Sequence, residues 1–165
     1  MKRYLTVLAV LLVALCSLAE AQNRTYTIED LLKVHRVGDP QISPDGKHVA
    51  FAIGGVLFDE NRPFNQIYVM SIDGSGLKQL TSGDRSASAP RWAPDGKKIA
   101  YVHRGQIWVM DSDGEHKEQI SKISSGGAAV WSPDGKWIAY VPIAENQFKN
   151  VNVVAVDGSA NGSAA

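Results

Sequence analysis

Residue types that do chemistry in enzymes occur along this chain, but not in the arrangements that catalysis requires. A serine nucleophile that is activated by a histidine often lies in G-x-S-x-G, at a turn between a strand and a helix. Ser75 lies instead in the letters DGSG, which are typical of a hairpin turn, and Ser125 has Ile123 in place of the first glycine. The sequence therefore predicts no catalytic residue, and it leaves open whether the chain belongs to an enzyme.

Metal and cofactor sites are not predicted either. The letters DSDG from Asp111 suggest a calcium loop, but they lack the further acidic residue before the glycine and the glutamate at the twelfth position, so we interpret them as a hairpin turn. The single cysteine, Cys16, lies in the N-terminal apolar segment, so the mature chain has no thiol ligand. The histidines form no H-E-x-x-H motif and are interpreted as ordinary surface or packing residues: His35, His48, His103 and His116.

One charged cluster is a candidate for binding. Asp59, Glu60 and Arg62 lie in an insertion, GGVLFDENRPF, for which the corresponding segment after Tyr101 has only VHRG. Insertions at the rim of a fold often carry function, so this one is a candidate binding loop. A solvated loop that varies neutrally is the alternative, and it is the one we favour.

The charge balance limits the classes of partner. Lysine plus arginine and aspartate plus glutamate number 17 each, so the net charge is zero. Nucleic acids and anionic membranes attract surfaces of one strong sign, and this chain has no such excess. We therefore predict no nucleic-acid partner.

An internal repeat establishes the architecture. The segments ISPDGKHVAFAI, WAPDGKKIAYV and WSPDGKWIAYV begin at Ile42, Trp92 and Trp131, and each is followed by a second unit: QIYVMSIDG, QIWVMDSDG or NVNVVAVDG. The second unit recurs after 40 and then 44 residues, a period typical of propeller blades. Each repeat predicts four short antiparallel strands joined by tight PDG and DG turns.

Apolar residues on both faces of the predicted strands favour stacked blades. In IAYV, Ile99 and Tyr101 face one way, and Ala100 and Val102 face the other. A sheet that is apolar on both faces must be covered on both, as in a propeller. The recurring Trp92 and Trp131 are accordingly assigned to packing between blades, as are Trp108 and Trp137.

The predicted fold is all-β: an incomplete β-propeller of about three four-stranded blades, which follows a signal peptide and one short helix. The predicted domains are a signal peptide (1–21), a segment with the helix (22–40), propeller repeats (41–158, with blades at about 41–81, 88–121 and 128–158) and a flexible tail without a fourth strand (159–165). Thr27 and Asp30 fit a capping box that begins a helix extending to about Val34.

The signal peptide rests on the first 21 residues. Lys2 and Arg3 precede an apolar run over residues 5–15, and Ala19-Glu20-Ala21 supplies small residues for cleavage before Gln22. A retained membrane anchor is the alternative, but the run is short for a span of about 20 residues. We therefore expect a periplasmic or secreted protein that leaves the membrane once the signal is cleaved.

The residues also resemble a known family. The PDGK-x-[IV]-A-[YF] units are similar to the propeller repeats of bacterial exported proteins. TIEDLL followed by GDPQISPDGK resembles the N-terminus of secreted serine peptidases of the prolyl oligopeptidase family, over about residues 25–158. The resemblance implies a propeller before a C-terminal hydrolase domain, whose Ser-Asp-His triad would lie outside this chain. Family propellers need about seven or eight blades at about 40 residues each, so the chain is expected to be an N-terminal fragment.

Three functional hypotheses follow from these observations. The first is a propeller that gates peptide access to a hydrolase domain absent from this chain, so that missing blades and that domain are its partners. The second is a non-enzymatic periplasmic propeller similar to TolB that binds protein partners. The third is a truncated product without function, since unclosed blades expose apolar faces and strand edges. TolB places a sizeable domain before its first blade, and the short segment here favours the peptidase.

Overall fold

The computed structural model describes residues 25–122, 127, 129–142, 151–157 and 161–164. The predicted signal peptide, Cys16 and Ser125 lie outside these residues. The chain divides at Leu31, with most of the helix in the first unit and every strand in the second.

The helix α1 (Ile28–Leu32) begins with the predicted capping box. The Asp30 N–H donates to Thr27 Oγ1 at 3.2 Å, and the Thr27 N–H donates to Asp30 Oδ2 at 3.1 Å. These two bonds satisfy backbone donors that a helix start otherwise leaves free. The helix ends two residues before Val34.

Twelve strands lie in the part of the chain that the structure describes, and they form three antiparallel sheets in sequence order. The first blade contains β1 (Arg36–Ile42), β2 (His48–Leu57), β3 (Arg62–Ser71) and β4 (Lys78–Gln79). The second contains β5 (Ala87–Trp92), β6 (Lys98–His103), β7 (Gln106–Asp111) and β8 (Glu118–Gln119). The third contains β9 (Val130–Trp131), β10 (Trp137–Tyr140), β11 (Val151–Ala155) and β12 (Asn161–Ala164).

The second blade is covered on both faces, as predicted. Ile99 and Tyr101 lie in a core cluster with residues of the first blade, among them Ile67. Ala100 and Ile107 lie in a second cluster with residues of the third blade. The strands therefore pack as successive blades of an incomplete propeller. We call the face turned to the following blade the outgoing face, and the face turned to the preceding blade the incoming face.

The prediction of a tail without a fourth strand is wrong over residues 161–164. Strand β12 pairs antiparallel with β11, from Val151 opposite Ala164 to Val154 opposite Asn161. Pairing gives partners to backbone groups that β11 would otherwise leave unbonded. Asn-Gly-Ser-Ala has no apolar alternation, so its sequence did not indicate a strand.

The first blade begins earlier than the expected residue 41. Strand β1 starts at Arg36 and is interrupted by a register shift between Gly38 and Gln41. The shift is a β-bulge, which adds a residue to one strand and disturbs its alternation. The sequence signal was therefore clear only after Pro40.

Candidate functional site

The seam between blades contains one hydrogen bond that recurs at the same repeat position. Trp92 Nε1 donates to the Gln41 carbonyl of the first blade at 3.0 Å. Trp131 Nε1 donates to the Arg91 carbonyl of the second blade, also at 3.0 Å. In each case the acceptor directly precedes the repeat position of the tryptophan: Gln41 precedes Ile42, and Arg91 precedes Trp92. We call this contact the indole latch, and it confirms the prediction that these two tryptophans pack between blades.

The PDG turns stack along the same seam. A Cβ on Gly96 would lie 3.6 Å from Pro44 Cδ, and a Cβ on Gly135 would lie 3.8 Å from Pro94 Cδ. Both values are ordinary van der Waals contacts, and both join a turn to the proline of the preceding blade. The seam therefore repeats two contacts in register.

Strand β4 and the residue that follows it also contact the second blade. Lys78 Nζ donates to the Asp113 carbonyl at 2.7 Å, from β4 to the turn after β7. Leu80 packs against Gly114, where a Cβ would lie 3.1 Å from Leu80 Cδ2. Gly114 has a φ of +90°, which a side chain would strain, so this turn both needs glycine and leaves room for the neighbouring blade.

An ion pair that the sequence did not indicate joins the first strands of two blades. Arg91 Nη1 donates to Asp39 Oδ2 at 2.8 Å and to the Pro90 carbonyl at 2.7 Å. Asp39 Oδ1 accepts from Gln41 Nε2 at 2.9 Å. Both charged side chains are about two-thirds buried. The pair holds β1 and β5 together beside the indole latch.

Two equivalent β-bulges position this ion pair. Asp39 and Ala89 both precede a proline and both have a positive φ, 51° and 54°. Each lies within the register shift of its own strand. Non-glycine residues rarely adopt this conformation, and such strain persists only where neighbouring contacts hold it. The letters DP and AP at matching repeat positions were a signal that could have been read as paired bulges.

The predicted charged cluster lies at the tip of an ordered hairpin. Strands β2 and β3 continue four residue pairs beyond Ile53 opposite Gln66, so the insertion (residues 54–64) lies in a projecting two-stranded arm. At its tip, Arg62 Nη2 lies 2.7 Å from Glu60 Oε2. Asp59 is exposed and has no hydrogen bond or ion pair within the described residues. The structure brings two of the three predicted residues together, in an ion pair that neutralises both.

The base of this arm is fixed to the segment between β4 and β5. The Asn65 N–H donates to Ser86 Oγ at 3.1 Å, and Gln66 Nε2 donates to the Gly83 and Arg85 carbonyls. Gln66 is buried, and its Oε1 accepts from Thr81 Oγ1 at 2.7 Å. A buried amide with partners on both its atoms fixes the orientation of the arm.

The remaining catalytic and metal candidates occupy turns or the surface. Ser75 Oγ donates to Asp73 Oδ1 at 2.7 Å inside the predicted hairpin turn. In the second blade, Asp113 Oδ1 accepts from the Glu115 N–H at 3.0 Å, in the turn between β7 and β8. Among the described residues, no group of three or more His, Cys, Asp or Glu side chains is arranged to hold a metal ion.

The turn carboxylates are held in their charged form. Hydrogen bonds from Ser43 Oγ and the Lys47 N–H lower the pKa of Asp45. Hydrogen bonds from Ser132 Oγ and the Lys136 N–H lower the pKa of Asp134 in the same way. The hydrogen bonds stabilise these turns, and the lowered pKa makes each carboxylate a weaker base.

The histidines are spread over the surface and one seam. His35 and His48 are exposed, and His116 is exposed while its Nδ1 lies 2.7 Å from Asp111 Oδ2. The pKa of Asp111 is held below its ordinary value, mainly by the hydrogen bond from Lys98 and next by the hydrogen bond with His116. His103 is half-buried, and its ring meets that of Trp108 edge-on at 5.4 Å.

The other two tryptophans, Trp108 and Trp137, differ in how deeply they are buried. Trp108 packs against the first core cluster, as predicted, and its Nε1 is buried without a partner within the described residues. Trp137 is 40% exposed, so its assignment to the core between blades is wrong. It lies opposite Ala155 on the outgoing face of the third blade.

That outgoing face is the largest departure from the repeat. The position held by Ile67 and Ile107, both fully buried, is held in the third blade by Val151, which is 44% exposed. Val141 and Val130 on the same face are 41% and 65% exposed. The face thus keeps the apolar character that neighbouring blades cover elsewhere in the chain.

No helix among the described residues reaches the length and hydropathy of a membrane-spanning segment. The candidate site among the described residues consists of the seam, the projecting arm and the exposed apolar face of the third blade.

Comparisons with known proteins agree with this geometry. The chain is 36% identical over 110 residues to dipeptidyl-peptidase 5 of Porphyromonas endodontalis, a match that covers 64% of this chain and 16% of that protein. The chain therefore spans less than a fifth of the length of this curated relative. The acylaminoacyl peptidase of Pyrococcus horikoshii superposes with a TM-score of 0.68 at 19% identity, over 84% of this chain and 26% of that one.

A putative TolB of Agrobacterium tumefaciens superposes with a TM-score of 0.58 at 25% identity, over 79% of this chain and 48% of that one. The family model described as the TolB beta propeller domain, PD40, matches residues 22–163. Both observations agree with three four-stranded blades joined by repeated seams. The chain therefore belongs to the PD40 family of TolB β-propeller domains.

Proposed function

We propose that this chain is the N-terminal part of the propeller of an exported serine peptidase of the prolyl oligopeptidase type. In this role it restricts the access of peptides to a hydrolase domain outside the chain. The observation that carries the proposal is the 36% identity to dipeptidyl-peptidase 5 over 110 residues, since it covers 64% of this chain.

The geometry supports a steric role for the chain. Rigid seams, with the indole latch and the Asp39–Arg91 pair on the first strands, would keep neighbouring blades from separating. Blades held together in this way would select ligands by the size of the ligand, which requires no reactive group in the blades.

The first test is the reading frame beyond the codon for Ala165, followed by an assay of the polypeptide that it encodes. We expect further PDGK repeats and then G-x-S-x-G, with aspartate and histidine downstream. We also expect that polypeptide to react with a serine-directed fluorophosphonate and to cleave a dipeptidyl anilide but not intact casein. A frame without the hydrolase motif refutes the peptidase, and equal cleavage of casein refutes the gating role.

Export is part of the same proposal. A signal peptide over residues 1–21 would deliver the protein to the periplasm or the medium. N-terminal sequencing of the protein from the native cell envelope should begin at Gln22. A mature protein that still begins at Met1 contradicts the proposed cleavage.

A second candidate is a non-enzymatic, TolB-like propeller that binds protein partners. The superposition on the Agrobacterium TolB and the family description favour it. The fluorophosphonate separates the two candidates, because a TolB-like propeller has no serine that it would label.

A further inference from the structure

We propose that the Asp95–Gly96 peptide of the second blade is a site of spontaneous isomerisation to isoaspartate, and that the equivalent turns of the other two blades are protected by a serine. The inference concerns a covalent modification and does not rest on the proposed function. It comes from a comparison of three turns with the same four residues, PDGK, which begin at Pro44, Pro94 and Pro133.

The reaction needs only these two residues and water. The Gly96 nitrogen attacks the side-chain carboxyl carbon of Asp95, a C–N bond forms, and the carboxyl hydroxyl leaves as water with the proton of the amide N–H. Water then opens the succinimide ring at either carbonyl. Opening at the backbone carbonyl leaves the main chain linked through the side chain, which is isoaspartate of unchanged composition. Glycine favours the attack because it has no side chain and adopts a wide range of φ.

A serine restrains the aspartate in the first and third blades. Ser43 Oγ donates to Asp45 Oδ1 at 2.6 Å, and Ser132 Oγ donates to Asp134 Oδ1 at 2.5 Å. These bonds fix the side chain and are the main cause of the lowered pKa of both carboxyls. Ring closure needs a side chain that can turn towards the amide nitrogen and a protonated carboxyl whose hydroxyl can leave. The serine therefore opposes both requirements.

The turn of the second blade has no such serine. Ala93 stands at the serine position. Asp95 Oδ1 accepts from the Lys97 N–H at 3.0 Å, and within the described part of the chain its carboxylate has no second hydrogen bond. We call this the uncapped turn. In all three turns the glycine N–H bonds the carbonyl three residues before it at 2.9 Å, so the attacking nitrogen is equally restrained and the serine is the difference.

Asp-Gly turns of a second kind follow the third strands of the first two blades. At Asp73, the N–H and the hydroxyl of Ser75 bond Oδ1 at 2.9 and 2.7 Å. Asp113 has Glu115 in place of that serine, but its backbone carbonyl accepts from Lys78 Nζ at 2.7 Å. This bond crosses the first seam and holds the peptide group that would have to rotate. Both turns should therefore react more slowly than the uncapped turn.

Isomerisation of the uncapped turn would loosen the first seam. Isoaspartate adds one methylene to the main chain, and the turn is closed by the Gly96 N–H to the Ala93 carbonyl at 2.9 Å and the Ala93 N–H to the Lys98 carbonyl at 2.8 Å. A Cβ on Gly96 would lie 3.6 Å from Pro44 Cδ of the first blade, so the lengthened turn also changes this contact. Trp92, which forms the indole latch, directly precedes the turn.

The experiment measures isomerisation at each turn of the full chain. The purified protein is incubated in mildly acidic buffer, in one sample folded and in the other unfolded in guanidinium chloride. Trypsin then releases the three turns in separate peptides, residues 37–47, 92–97 and 123–136. Each isoaspartyl peptide keeps its mass, separates from the parent peptide by chromatography and resists the protease Asp-N at the modified residue. Since all three turns are PDGK, their rates in the unfolded chain should be similar.

In the folded chain we expect Asp95 to isomerise about tenfold faster than Asp45 and Asp134, the factor that one hydrogen bond to a charged group gives. Ala93→Ser should slow Asp95 by about the same factor, and Ser132→Ala should speed Asp134 by it. In each variant the other two turns are internal controls and should keep their rates. Ser43 and Ala93 are similarly buried, 5% and 3% exposed, so a serine suits the exchanged position.

Three results would overturn the inference. The first is a rate at Asp95 that equals or falls below those of Asp45 and Asp134 in the folded chain. The second is isomerisation that occurs in guanidinium chloride alone, since the folded turn would then exclude the reaction. The third is an unchanged rate in the serine variants, with Ser132→Ala decisive if circular dichroism shows that Ala93→Ser does not fold. None of these results depends on a hydrolase domain, so failure of the peptidase proposal is recorded separately.

Discussion

Replacing Trp92 with phenylalanine tests whether the indole latch holds the first two blades together. The variant loses the hydrogen bond from Nε1 to the Gln41 carbonyl, which is 3.0 Å long and partly buried. A typical hydrogen bond of this kind contributes about 1 kcal/mol to stability. The smaller ring also buries less apolar area, which costs about 1 kcal/mol more. We therefore expect the free energy of unfolding to fall by about 2 kcal/mol.

The assay is urea denaturation of the purified chain. The slope of the unfolding free energy against urea concentration is compared between variants. A change of about 2 kcal/mol lowers the midpoint of thermal unfolding by roughly 4 to 8 °C in a domain of this size. An unchanged slope would show that the variant lost stability without a change in the surface exposed on unfolding. Trp131→Phe, at the next seam, should lose a similar amount.

The matched control is Trp137→Phe, the same exchange at a tryptophan that is 40% exposed. Its indole makes no hydrogen bond within the described residues, so the expected loss is below about 0.5 kcal/mol. The reasoning is refuted if Trp92→Phe and Trp137→Phe destabilise the chain equally. The latch would then be a consequence of blade packing and not one of its causes.

Three further variants test separate contacts. Asp39→Asn removes the carboxylate that lies 2.8 Å from its arginine partner, and it should cost about 0.5–1 kcal/mol in urea denaturation at low salt and less at high salt. Burial raises the pKa of Tyr101 from 10.0 to about 12, so the free energy of unfolding should fall by about 2–3 kcal/mol as the pH rises through that interval. Tyr101→Phe should remove this dependence of stability on pH. Gly55→Ala places a Cβ 2.7 Å from His35 Cδ2 and should cost about 1–3 kcal/mol, whereas Gly38→Ala, with nothing within 4 Å, should leave the urea midpoint unchanged.

The blades could be predicted because their signal is repeated. Apolar alternation, PDG turns and tryptophans at fixed offsets recur in the sequence, and each copy supports the interpretation of the others. The two-faced burial of Ile99 and Ala100 followed directly, because a strand that is apolar on both sides must be covered on both sides. Local chemistry of the same kind predicted the capping box at Thr27.

The contacts that were missed are those that depend on one blade only or on backbone geometry. The Asp39–Arg91 pair joins residues 52 positions apart, and the third blade has Val130 where the second has Arg91. No repeat could reveal it. Strand β12 was missed because backbone pairing, unlike side-chain alternation, leaves no trace in Asn-Gly-Ser-Ala. Trp137 was misassigned because its repeat position is partly exposed even where the face is covered: His48 is exposed there in the first blade, and the Lys98 side chain of the second blade is 43% exposed.

The repeated seam has a consequence for how stability is distributed along the chain. In structures built from stacked repeats, stability is approximately the sum of the intrinsic stability of each repeat and the interfaces between neighbours. The second blade has a seam on each side, with a latch at each, whereas the described residues cover the third blade on its incoming face alone. Amide hydrogens of β6 and β7 should therefore exchange more slowly than those of β10 and β11.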